Sequence, residues 1–373
     1  MRTVVRSYLK IHPVLGVLFL FCLAQCQTLQ SYERGGEKRL AKVVMGYYAG
    51  WKKAEFDHTK VNFKNLTHLA HSFTKPDSEG NLVVDGNFLY PELNEAAHRN
   101  NVKVIMSIGG WGNCEGFPGM VRDSQRRQKF INQVLEFCQK NKYDGVDIDW
   151  EFVSNAEEQQ NFVLFIKELS AALKAQSPPL LLTMAAPAGD YYARWIKFEE
   201  LIGDFDFISF MTYDYHGDWS DHSGHNSPLY SWPADPCGSV NDTYLYAHFQ
   251  RGIPKEKLLL GVPFYGHSFD CAWLYQKFQK SNYYGYAEIR NFMSSRWSYI
   301  WDWWSEVPCV RRHDRSEIVS FDDERSVAQK CRYIQSREVA GLIIWEISLD
   351  YYQGSSVLLD VIGKEFREIC YEN

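Results

Sequence analysis

The chain has 373 residues, 45% hydrophobic and 23% charged, enough apolar material for one large core or two smaller ones. A formal net charge of −6, with no block of clustered Lys and Arg, excludes the usual basic kind of nucleic-acid-binding protein. Aromatic residues make up 16% of the chain, which fits either a densely filled core or a cleft faced with flat apolar rings.

The N-terminus reads as an export leader over residues 1–26. Arg2, Arg6 and Lys10 precede a short apolar run, Val14 to Ala24, and Ala24-Gln25-Cys26 offers the small residues a cleavage site requires. The run is too short to span a bilayer, so the mature chain is expected to be secreted, with a lipid anchor at Cys26 as the lesser alternative. Of nine cysteines, Cys22 and Cys26 fall in the leader. The rest are odd in number and lack Cys-x-x-Cys spacing, so export implies some disulfides with one thiol left over. Asn65-Leu-Thr and Asn241-Asp-Thr are glycosylation sequons.

After a polar linker at 27–42, eight short apolar runs are predicted as strands: Val43 to Tyr48, Leu66 to Phe73, Val102 to Gly110, Asp144 to Glu151, Leu180 to Ala185, Phe205 to Tyr213, Leu258 to Pro263 and Gly341 to Trp345. Helical periodicity falls between them. Phe130, Val134, Leu135, Phe137 and Cys138 line one face of a predicted helix over 124–141, and Phe162, Phe165, Ile166 and Leu169 one over 156–175. Eight such units over about 300 residues predict an α/β fold, a (β/α)8 TIM barrel, over 43–373. An open doubly wound sheet would want a glycine-rich phosphate loop after its first strand, and Gly46 and Gly50 do not supply one. The interval from His267 to Ala340 is too long for one crossover, so a small α+β lobe is predicted between strands seven and eight, at about 268–325.

The fourth predicted strand carries the densest chemistry. In Lys142-Tyr-Asp-Gly-Val-Asp-Ile-Asp-Trp-Glu-Phe152, Asp147, Asp149 and Glu151 alternate with Val146, Ile148 and Trp150, so the three acids share one face of a strand. Ionised carboxylates so close disfavour each other's charge, and the expected outcome is a proton retained near neutrality, as a general acid needs. Barrel active sites form where strands end at the C-terminal face, with Glu151 nearest the mouth. Asp144 falls on the opposite face and is as readily a backbone-bonding residue. A divalent-cation site is the rival reading of the acid row, disfavoured because the acids lie on a strand rather than a flexible loop.

Asp144-Gly-Val-Asp147-Ile-Asp149-Trp-Glu151 resembles the Asp-x-x-Asp-x-Asp-x-Glu signature of family 18 glycoside hydrolases, the chitinases and their relatives. Ser107-Ile-Gly-Gly110 is similar to that family's Ser-x-Gly-Gly, Met211-Thr-Tyr213-Asp214 to its Met-x-Tyr-Asp, and Trp345 to the Trp that floors its central sugar subsite. The resemblance implies a secreted, monomeric hydrolase of chitin or chitooligosaccharides with no cofactor. Its catalysis would be retaining and substrate-assisted. By the same resemblance Glu151 is acid and base, Asp149 and Asp147 stabilise charge, and Tyr213 positions the substrate's acetamide. Tyr47, Phe73, Trp111, Met211, Asp214, Tyr265 and Trp345 would line the sugar site. His267 departs from the pattern, where Arg is frequent. The alternatives are a lectin-like binder of chitooligosaccharides and a hydrolase of N-glycan core linkages. His216, His222 and His225 are too irregularly spaced for known zinc patterns, so no metal is expected and they read as hydrogen-bonding loop residues.

Overall fold

The computed structural model describes residues 41–293 and 296–367. The leader expected at 1–26, the linker up to residue 40 and Cys370 lie outside the described residues.

Eight parallel strands close into a barrel: β1 Val43–Ala49, β2 His68–Pro76, β3 Lys103–Gly109, β4 Gly145–Asp149, β5 Leu181–Pro187, β6 Phe207–Met211, β7 Leu258–Pro263 and β8 Gly341–Trp345. Each pairs with its chain neighbour, and β1 closes the ring against both β8 and β2. All eight coincide with predicted runs, because strands covered on both faces read as near-continuous apolar stretches. The expected barrel is therefore the observed fold. Glu151 corrects one detail: β4 ends at Asp149, and Glu151 stands in the turn just beyond it.

Two apolar layers hold the barrel. Inside it, Met45, Tyr47, Ala70, Ile105, Tyr213, Leu259, Tyr265 and Ile343 pack together. Outside, the helices lay their apolar stripes on the strands. Helix Ser124–Asn141 starts where the Asp123 carboxylate accepts from the backbone N–H groups of Gln125 and Arg126, and it buries Phe130, Ile131, Val134 and Cys138. Helix Ala156–Lys174 starts at Asn155, whose side chain accepts from Glu158 N–H, and it buries Phe162, Phe165, Ile166 and Leu169. Such caps contribute about 1 kcal/mol each. Truncating a buried ring such as Phe165 to Ala would cost about 3–5 kcal/mol.

Between β7 and β8 a five-stranded antiparallel sheet runs in the order 281–285, 265–269, 318–320, 307–312, 297–302, with helix Tyr286–Phe292 beside it. None of the described cysteines is paired: Cys114, Cys138, Cys237, Cys271, Cys309 and Cys331 are free thiols, so the disulfides expected from export are not found among the described residues. Cys138 and Cys331 are buried in separate helices of the core, which explains why neither meets a partner. Asn65 is buried, its amide donating to Asp360 at 2.8 Å, so the folded chain does not present that sequon. No helix among the described residues is long and apolar enough to cross a membrane.

Candidate active site

The C-terminal ends of the strands converge on the acid row. Asp147 is fully buried at the centre of the barrel, and three hydroxyls donate to it: Tyr47 from β1 and Ser107 from β3 to Oδ2, both at 2.8 Å, and Thr183 from β5 to Oδ1 at 2.7 Å. Burial pushes the Asp147 carboxyl upward and these donors oppose it. Asp149 is placed differently. It is equally sequestered, but its Oδ1 has no hydrogen-bond partner. Burial first, then the charges of Glu151 and Asp147, hold its carboxyl well above the usual range. Glu151 is pushed up to about 7 by burial and by the negative charge of Asp214, with the Trp111 backbone N–H opposing. The row therefore grades from a hydrogen-bonded acid inside to a proton-holding acid at the mouth.

Two glycines shape the approach. Gly109 has φ +112°, and a Cβ there would lie 2.1 Å from the Asp149 carbonyl oxygen. Gly110 has φ +81°, and its Cβ would fall 2.4 Å from the Phe73 ring. Only glycine meets both demands at once, which gives the paired glycines after Ser107 a physical reason. Behind them the Cys114 thiol lies 3.4 Å from the Asp149 carbonyl and accepts the Glu151 backbone N–H at 3.2 Å. Burial raises that thiol to about 12, so it packs and hydrogen-bonds as a neutral group.

Opposite the row stands Tyr213, just past β6, buried inside the barrel. The charges of Asp149, Asp214, Glu151 and Asp147 reinforce burial in keeping its phenol protonated. Asp214, at φ +59°, accepts from the Tyr265 hydroxyl at 2.7 Å, and its Oδ1 lies 2.9 Å from His267 Nε2. Tyr265 is buried beside Tyr213, ring centroids 6.0 Å apart. Met211 packs against the same inner cluster. An aromatic floor follows: Trp345 stacks on Phe73 at 5.6 Å and meets Tyr47 edge-on at 5.7 Å. Trp51 stacks against Phe73 at 6.0 Å and remains 59% exposed, while Trp111 is 77% exposed, so both offer a face to a ligand.

The structure thus gathers the acids, tyrosines and aromatic rings named from the sequence as catalytic or sugar-lining around the C-terminal half of the barrel. Asp144 is set apart: its carboxylate accepts from Val104 N–H at 2.7 Å and lies 2.8 Å from His98 Nε2, a structural position. Thr183, Trp51, Cys114 and the bonding role of His267 were not singled out from the sequence. No local motif marks Thr183; it is found only through the β4–β5 register that pairs it with Asp147.

The arrangement sets three carboxyls side by side, each pushed upward by burial, beside aromatic rings, which suits general acid catalysis on a ligand with flat apolar faces. The family model of Glycosyl hydrolases family 18 matches residues 43–350. Chitinase A1 of Niallia circulans is 32% identical over 295 residues, covering 69% of this chain and 42% of that protein, so the chain spans less than half of that relative. Human Chitinase-3-like protein 2 is 28% identical over 345 residues, covering 83% of this chain and 87% of the human one. The crystal structure of Ostrinia furnacalis Group IV chitinase in complex with allosamidin superposes with a TM-score of 0.80 at 27% identity, covering 87% of this chain and 98% of that one. On its own fold, its acid row and these matches, the chain belongs to family 18 of the glycosyl hydrolases.

Proposed function

We propose that the protein is a secreted, monomeric hydrolase of β-1,4-linked N-acetylglucosamine polymers, working with retention and assisted by the substrate's own acetamide group. The observation that carries the reading is the graded acid row: Glu151 at the mouth, pushed up to about 7, with the Asp149 carboxyl behind it held well above the usual range. In this reading Glu151 gives its proton to the glycosidic oxygen while the acetamide carbonyl attacks the anomeric carbon. Asp149, with Asp147 behind it, stabilises positive charge on the acetamide nitrogen. The protonated Tyr213 hydroxyl donates to the acetamide oxygen and holds it in attack geometry. Water then opens the oxazolinium ring, with Glu151 as base. Trp345 would lie beneath the sugar, and Tyr47, Phe73, Trp111, Met211, Asp214 and Tyr265 would wall the site. The likeness to a chitinase solved with allosamidin supports this substrate class.

Mass spectrometry of products from a chitin hexamer, with Glu151→Gln alongside, tests the reading. Cleavage to short oligomers that the variant abolishes is expected. Binding without cleavage by the unaltered protein would make it a lectin-like binder. Neither binding nor cleavage would point to N-glycan core linkages.

A further inference from the structure

We propose that His216, His222, Asp235 and Cys237 form a zinc site that clasps the loop following β6. The four residues lie in one segment that the catalytic reading does not use. Their ligand atoms all fall within 4.8 Å of one another. His216 Nε2 and His222 Nε2 face each other at 3.2 Å, and Asp235 Oδ1 lies 3.3 Å from the first and 3.5 Å from the second. A tetrahedral ion with bonds of about 2.0–2.1 Å to nitrogen and oxygen sets its ligands roughly 3.3 Å apart, so three edges of the tetrahedron are already drawn.

The surroundings fix which atoms point inward. His216 Nδ1 lies 3.0 Å from the His225 carbonyl, which can only accept, so that nitrogen carries the hydrogen and Nε2 carries the lone pair. His222 Nδ1 is held by the Asp221 carboxylate, with the same consequence for its Nε2. Two lone pairs and a carboxylate oxygen therefore converge on one point, an arrangement that repels itself unless a proton or a metal cation lies between them. Asp235 Oδ2 is buried with no hydrogen-bond partner, although the side chain is only 1% exposed. A Cβ at residue 224 would lie 2.3 Å from the His216 ring, so Gly224 is what lets that ring sit where it does.

The donor set decides the metal. Two imidazoles, one carboxylate and one thiolate suit zinc, whereas calcium and magnesium want oxygen ligands. Four protein ligands leave no open position, so the role is structural. The Cys237 thiol gives up its proton on binding. Carboxylates and carbonyls behind ligating histidines are the usual support of such sites. Chain spacing concealed this one because Asp235 and Cys237 come from the far side of the loop. His225 stands outside the cluster, its Nδ1 lying 2.9 Å from Ser320 Oγ and its Nε2 3.1 Å from Asp302.

The test uses the full chain prepared without a polyhistidine tag, titrated with zinc by calorimetry and with cobalt(II) by visible spectroscopy. The expected result is one ion per chain, with a cobalt spectrum of tetrahedral intensity and a thiolate-to-metal charge-transfer band. Cys237→Ser, at an exposed position that leaves the core intact, should abolish that band and weaken zinc at least tenfold. Asp221→Asn, which removes only the support behind His222, should weaken zinc by about 10–100-fold. No uptake by the unaltered chain would overturn the proposal. So would equal affinity and an unchanged spectrum in Cys237→Ser.

Discussion

Two places in the molecule bury carboxylates, and they do so in opposite ways. Behind the inserted lobe, Asp322 and Lys330 are both almost wholly inaccessible, joined at 2.6 Å, with Ser326 donating to Asp322 and Lys330 donating to Ser227. Burial pushes both groups toward neutrality and their mutual attraction opposes it. In the acid row, Asp149 has two negative neighbours and an unpartnered oxygen. Burial alone is therefore no mark of chemistry; burial without compensation is. The first pair fixes structure, and the second site favours the protonated form of its carboxyl.

The sharpest way to separate the two is to neutralise Glu151. Glu151→Gln should lower turnover on chitooligosaccharides by up to about four orders of magnitude, as loss of a general acid does, while oligomer affinity measured by calorimetry stays within a fewfold. In the unaltered protein the same group should set the alkaline limb of turnover. A carboxyl raised to about 7 must be protonated to act, so kcat should fall as pH rises through that value, and Glu151→Gln should flatten the limb. Breaking the other pair should instead damage the fold. Lys330→Met strands the Asp322 charge and should cost about 3–5 kcal/mol of stability, read from urea unfolding.

Asp149→Asn should lose about 10²–10³ in kcat, the range for one preorganised electrostatic partner, yet gain stability. The sign follows from linkage. A carboxyl raised on folding binds more protons in the native than in the unfolded chain, so its ionisation destabilises the fold as pH rises from the unfolded value. Removing it should raise Tm at neutral pH, and that gain should vanish in acid. A Tm that falls instead would show that Asp149 is compensated after all. The smallest effect is expected at Ser107. Ser107→Ala removes one of three donors to Asp147 and should cost about 1–3 kcal/mol in stability, with the other two donors keeping the carboxylate in place.

The barrel was legible because each strand is buried on both faces, which writes an apolar run directly into the chain. The acid row was legible for the opposite reason: three carboxylates at period two inside such a run contradict burial. What stayed hidden depends on partners distant in sequence. Thr183 reaches Asp147 across 36 positions through strand register, and His267 reaches Asp214 across 53 through the first strand of the lobe. His216 and His222 looked scattered because the Asp235 carboxylate that both approach lies on the returning half of their loop. Export, by contrast, suggested disulfides that the fold does not make among the described residues, since its core supplies the cohesion that small secreted domains obtain from bridges.

The junction between barrel and lobe carries a mechanical consequence. Strand β7 ends at Pro263, and after Phe264 alone the chain resumes as the lobe strand Tyr265–Phe269. Phe264 N–H bonds to the Trp345 carbonyl, and its own carbonyl accepts from Tyr286 N–H, each at 2.8 Å. The lobe thus continues directly from a barrel strand, with a single residue between the two. Through these two bonds the backbone at the junction is tied at once to the end of β8 and to the lobe helix Tyr286–Phe292.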